Sequence, residues 1–157
     1  MAEQSLLEIY LGDHFAGSTA GLNLAQRIAA ETGDPRLGRI AGEIDADREV
    51  LREVMTATGT ETPLLKSAAA WVGERAGRLK LNDRIFGRSP LSTVLELEGL
   101  IAGVSGKLQL WRALSEVAGR DPRLASFDFE TLATRAEDQR GRLEGLHKEA
   151  VAAALDG

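Results

Sequence analysis

Apolar residues recur every three or four positions over four long stretches of this chain, each closed by a glycine, a proline or both. That spacing places them on one face of an α-helix, and no run shows the two-residue alternation of a half-buried strand. A chain patterned this way buries its apolar surface by laying helices side by side. The breakers Thr32-Gly33-Asp34-Pro35 and Gly119-Arg120-Asp121-Pro122 each join a helix C-cap to the first turn of the next helix. Together with Gly59 and the interruptions at Asn82, Gly87 and Pro90, they predict five helical segments, at about 3–31, 36–58, 63–80, 91–118 and 129–155.

Each segment has a stripe. The first presents Leu7, Tyr10, Leu11, His14, Gly17, Gly21, Leu24, Ala25 and Ile28; the second Leu37, Ile40, Ala41, Ile44, Asp47, Leu51, Val54 and Met55. The fifth presents Phe129, Leu132, Ala133, Ala136, Leu143, Leu146, His147 and Ala150. The fourth is apolar almost all round, through Leu95, Leu97, Leu100, Ile101, Val104, Leu108, Trp111 and Leu114, and is expected to be the most buried. The third is short, with a thin stripe of Leu65, Ala68, Val72, Ala76 and Leu79. The expected fold is all-α: a single domain over 1–157, an antiparallel four-helix bundle with a fifth, shorter helix crossing over between the second and third long helices. A sequential five-helix bundle has nearly the same helix directions and stands as the alternative.

Composition removes several classes of function. The 157 residues include no Cys, which excludes a disulfide scaffold, thiolate chemistry and a Cys-based zinc or iron–sulfur site. No run approaches the ~18 apolar residues of a membrane span, and Met1-Ala2-Glu3-Gln4 lacks the basic start of a secretory signal. A cytoplasmic location is the expectation. The net charge of −5 argues against nucleic acid as a general partner.

Gly recurs at a four-residue spacing at Gly17/Gly21, Gly38/Gly42, Gly73/Gly77, Gly99/Gly103 and Gly141/Gly145. An interior helical Gly costs ~1 kcal/mol relative to Ala, so a compensation is expected. Close approach of helix backbones is the structural reading; room for a ligand between helices, with Trp111 and Tyr10 as walls, is the functional one.

Polar residues inside apolar stripes are the other lead, because a buried charge is costly unless paired or ligated. They are His14, Asp47, Glu98 and His147. Counted from the helix ends that a crossover brings together, Asp47 lies about 11 residues deep and Glu98 and His147 about 8 each. The three could form one layer. Two carboxylates and an imidazole could hold iron, manganese or zinc with open positions, or could form a hydrogen-bonded network that fixes helix register.

The stretches YLGDHFAGSTAGLNLAQRIA (10–29) and LKLNDRIFGRSPLSTVLELEGLIAGVSGKLQLW (79–111) resemble a group of ferritin-like helical proteins of high-GC bacteria. The resemblance implies a ferritin-like bundle but attaches to no activity. Di-iron members of that superfamily use a Glu from each of two helices and a Glu-x-x-His from each of the other two. Here only Glu144-Gly145-Leu146-His147 has that form, with Glu144 one step off the buried stripe. Glu43 and Asp47 have no His beside them, and Glu8 lies far from the layer, so ferroxidase, oxygenase and iron-storage activities are not expected. No phosphate-binding loop, nucleophile elbow, dinucleotide fingerprint or His-Glu-x-x-His occurs.

Finally, Arg75, Arg78, Lys80, Arg84 and Arg88 form a basic segment opposed only by Asp83. It could take an anionic ligand, pair with acidic runs as a solvated face, or serve a subunit interface. Three functions follow: a non-catalytic protein acting through a homo-oligomer or protein partner, a metal-binding protein or oxidoreductase with a reduced site, and a small-molecule binder with a Gly-lined core.

Overall fold

A computed structural model describes residues 5–60 and 88–156, and among these residues the fold is all-α, without strands. Helix α1 spans Leu6–Thr32, α2 Pro35–Thr58, α3 Pro90–Ala118 and α4 Phe129–Leu155, with a 3₁₀ turn at Pro122–Leu124 before α4. The expected short third segment, 63–80, lies outside the described residues. None of the described helices is long and apolar enough to cross a membrane.

The helix ends follow from local chemistry. Ser5 and Glu8 close a reciprocal capping box, with the Glu8 N–H donating to Ser5 Oγ at 3.2 Å and the Ser5 N–H donating to Glu8 Oε2 at 3.0 Å. Gly33 ends α1 at φ 67° and Gly59 ends α2 at φ 72°, the left-handed cap that glycine adopts without a Cβ penalty. Asp34 caps α2 by accepting from the Arg36 N–H at 2.8 Å, and Asp128 caps α4 by accepting from the Thr131 N–H at 3.0 Å.

Helix α1 packs on both α2 and α3, and α3 packs most extensively on α4. Side chains tie α2 to α4 in antiparallel register: Arg36 to Glu149, Glu43 to Arg142, Asp47 to Gln139. Arg88, just before α3, pairs with Glu31 at the end of α1. Arg123, just before α4, donates to the Thr58 carbonyl at 3.0 Å. Thr60 and Arg88 therefore stand at opposite ends of the helices.

Two apolar clusters fill the interior. One centres on Leu11, Leu51, Leu108, Trp111, Leu114 and Phe129, where the Trp111 and Phe129 rings stack with centroids 6.1 Å apart. The other centres on Ala25, Ile28, Leu37, Ile40, Leu100 and Leu143. Each Leu or Ile so buried contributes about 1.5–3 kcal/mol by leaving water. Helix α3 is not the most buried helix, as the sequence leads one to expect: α2 buries as many residues over a shorter length, and on α3 Leu95 is 39% exposed while its neighbour Glu96 is 2% exposed.

Candidate functional site, a polar layer beside a glycine-lined cavity

Between the two apolar clusters the helices bring charge into the interior. Asp47 sits on α2 between Ile44 and Leu51, Lys107 on α3 between Val104 and Trp111, and Gln139 on α4 between Ala136 and Leu143. Each occupies the core face of its helix, and Asp47 and Gln139 are 2% and 0% exposed. Asp47 Oδ2 accepts from Lys107 Nζ at 2.5 Å and from Gln139 Nε2 at 3.2 Å, while its Oδ1 accepts from Arg135. Lys107 also donates to Gln139 Oε1. Gln139 Nε2 passes the network on to Glu43 Oε2 at 3.1 Å, which Arg142 Nη2 meets at 2.5 Å. Burial pushes the Lys107 ammonium below the usual lysine range, and the neighbouring Asp47 pulls it back up. The hydrogen bond from Arg142 holds Glu43 below the usual carboxylate range.

Against this layer, α1, α2 and α3 line a pocket of about 720 Å³ that opens to solvent past Asp13, Ala102 and Gly103. Gly17, Ser18 and Gly21 of α1 face Gly103, Gly106 and Lys107 of α3 across it, and Asp47 and Arg48 of α2 contribute from the side. A Cβ built on Gly21, Gly103 or Gly106 meets no atom within 4 Å. At these three positions the glycines border open space rather than a neighbouring backbone, while Gly73 and Gly77 lie outside the described residues. Gly99 is the contrasting case, with Leu24 Cδ2 at 3.5 Å from its built Cβ. Arg48 lies over the Phe15 ring, 4.6 Å from its centroid, and its Nε donates to Thr19 Oγ1 at 3.2 Å. Half-buried His14 also lines the cavity, and burial keeps its imidazole below the usual histidine range. Of the two expected wall residues, Trp111 lines the cavity, whereas Tyr10 packs edge-on to His14 at 4.6 Å.

The three residues read as one metal-binding layer do not meet at one place. Glu98 and His147 come together, with Nε2 and Oε1 3.1 Å apart, on the outer edge between α3 and α4. Asp47 lies apart from them, against Lys107, Arg135 and Gln139. Depth counting misplaced it because the helices do not end in one plane: Arg36 opens α2 opposite Glu149, so α4 continues about 6 residues past it. Among the described residues no three His, Asp or Glu side chains are placed to hold a metal ion.

Sequence reasoning missed Lys107, Arg135, Gln139 and Glu96. Lys107 carried a readable signal, three residues after Val104 and four before Trp111. Glu96, rather than Glu98, is the buried acid of α3; it meets Arg27 Nη2 at 2.7 Å and Arg88 Nη2 at 3.5 Å. Burial raises its carboxyl above the usual range against the pull of both arginines. Of the basic segment, Arg75, Arg78, Lys80 and Arg84 lie outside the described residues, and Arg88 is engaged by Glu31 and Glu96. Glu144 faces solvent beside Arg140. Compared with known proteins, the chain matches no family model, no curated protein and no solved structure.

Proposed function

We propose that this chain is a non-catalytic helical binding protein that holds a small molecule between its helices. The pocket of about 720 Å³, bordered by Gly21, Gly103 and Gly106 whose built Cβ atoms meet nothing within 4 Å, carries this reading. Its volume lies within the ~300–1,000 Å³ typical of small-molecule sites. Helical glycines at 21, 103 and 106 each cost ~1 kcal/mol of helix stability relative to Ala, and a ligand that needs their space offsets that cost.

The helix pairing supports a ferritin-like bundle with a crossover, since Thr60 and Arg88 stand at opposite ends. Such bundles place ligand and cofactor sites in the core between facing helices, as here. The metal-binding and oxidoreductase reading draws less support. Three donors already occupy Asp47, and the Glu98–His147 pair faces outward. Assembly through a second copy or a protein partner is a second reading. It draws on Leu91 and Leu95, which are 46% and 39% exposed one turn apart on α3.

Native mass spectrometry of the protein as purified from cells, beside Gly103→Leu, tests the proposal. Gly103 is an exposed residue at the mouth of the pocket, where Leu adds a bulky apolar side chain without meeting a neighbour. An added mass on the wild type that the helical variant lacks is the expected result. Bare spectra from both proteins, with identical thermal stabilities across a library of amphipathic small molecules, would sink the binding reading. The same spectra report assembly, and a dimer that survives Gly103→Leu would favour the second reading.

A further inference from the structure

The binding-cavity reading leaves the ligand's chemistry open, and the inference drawn here rests on that reading. Hydrogen-bonding capacity at the cavity wall is lopsided. Asp47 accepts from Lys107, Arg135 and Gln139, so its oxygens are taken. Lys107 places two of its three N–H donors, on Asp47 and Gln139, and keeps one. Arg48 commits Nε to Thr19, and its Nη1 stands 3.8 Å from Glu49, a carboxylate half exposed to water. Among the described residues, most of the Arg48 fork has no acceptor. Ser18 spends its proton on the Phe15 carbonyl at 2.7 Å.

Charge is equally uneven. Asp47 is shared by two cations, Lys107 and Arg135, the latter approaching from outside the cavity, and Glu43, the next acid acting on Lys107, is itself held by Arg142. Asp13 is the other acid among the described lining residues, and it is exposed at the rim. Apart from His14, the rest of the described wall is apolar or glycine, chiefly Leu51, Leu100, Val104 and Leu110. An acidic group gains charge-assisted hydrogen bonds from the Lys107 and Arg48 donors that a neutral ligand does not.

We infer that the cavity takes a small amphipathic anion, its acidic group at Lys107 and Arg48 and its apolar body against Leu51, Leu100, Val104 and Leu110. A matched pair of fluorescent probes separates charge from apolar fit. 1-Anilinonaphthalene-8-sulfonate and N-phenyl-1-naphthylamine share one ring system, and only the first carries an anion. Both are titrated into the full chain and into Gly103→Leu, Lys107→Gln and Arg48→Gln, each variant first checked for helical content.

The expected result is that the sulfonate binds about tenfold more tightly than the amine, as one added charged hydrogen bond provides. Lys107→Gln and Arg48→Gln each remove most of that preference and leave the amine within twofold, and Gly103→Leu abolishes both. Arg48 is partly exposed, so its variant keeps the test alive if Lys107→Gln does not fold. Equal binding of the two probes, both lost in Gly103→Leu, would overturn the anion and leave the cavity standing. A sulfonate preference that persists in both charge variants would overturn it as well. Failure of both probes, or sulfonate binding unchanged in Gly103→Leu, would remove the cavity reading itself.

Discussion

Asp47 decides the character of the interior at the level of single residues. Its carboxylate is 2% exposed and lies against a lysine that is itself largely buried, so each charge depends on the other for what water would supply. Removing one partner of a buried pair costs about 3–5 kcal/mol, because the remaining charge is stranded. Asp47→Ala is therefore expected to lose about that much in urea unfolding, and the double variant Asp47→Leu/Lys107→Met less than the single one. A loss under about 1 kcal/mol for Asp47→Ala would mean that water reaches Lys107 and that the pair behaves as a surface one. Asp47 was legible in the sequence because a carboxylate amid Ile40, Ile44 and Leu51 has no solvated alternative on that face. Its partners were not. A lysine's long stem lets it lie on an apolar stripe and still carry its charge to the edge, so Lys107 reads as ordinary until its neighbours in space are known. In the run Leu95-Glu96-Leu97-Glu98 a one-residue change of phase chooses which acid is buried, and the pairing of Glu96 with Arg27 and Arg88 selects the former.

Glycine carries the argument at the level of the helix, because it plays opposite parts in the middle and at the end. Gly21 and Gly103 are helical and face open space, so Ala at either position is expected to stabilise the unliganded protein by up to ~1 kcal/mol. Gly59 closes α2 at φ 72°, where an added Cβ meets the following carbonyl, and Gly59→Ala is expected to lose about 1–2 kcal/mol. Thermal unfolding of the three variants would show shifts of opposite sign; a loss at Gly103→Ala would mean that the space there is filled in the native state. The helices themselves were largely legible. Their ends are written in Gly33-Asp34-Pro35, Gly59 and Asp128, residues whose local chemistry needs no tertiary partner. Every stripe residue expected on α2 is buried, since that helix is apolar on a single narrow face. On α1 the stripe missed Phe15 and Leu22, which are buried because α1 packs on two neighbours and needs a wider band than one heptad phase describes. The glycine pairs were legible as a pattern, but whether they admit a neighbouring helix or leave a space depends on how far α1 and α3 stand apart, which no spacing encodes.

Taken over the whole molecule, stability is a sum over these buried groups, and acid resolves them in order. His14 is held below its ordinary value of 6.5 by burial, with Asp13 pulling the other way. The unfolded chain therefore takes up a proton before the folded one does. Its contribution is fully present above pH 6.5 and is lost as the pH falls below 6.5 towards the folded value, at up to about 1.4 kcal/mol per pH unit. Glu96 works in the opposite sense. Its folded value is raised above 4.5, so acidification through that window returns stability and softens the loss. Asp34, Glu43 and Glu149 are held below their ordinary values by arginine partners, so their stabilisation is complete above 3.8–4.5 and is lost as the pH falls from there through their lower folded values. Urea midpoints between pH 7 and 5 should then fall in the wild type and stay nearly level in His14→Gln, with the two curves converging in slope below pH 4.5 as the carboxylates take over. A wild-type slope retained in His14→Gln would remove His14 as its source. Because His14 lines the cavity, occupation by an apolar ligand that excludes water there should deepen the loss between pH 6.5 and 5, for the neutral imidazole becomes harder to charge. An acidic group close to His14 would instead favour the imidazolium and shallow the loss, so the pH profile reports the character of the occupant from inside the fold without a label.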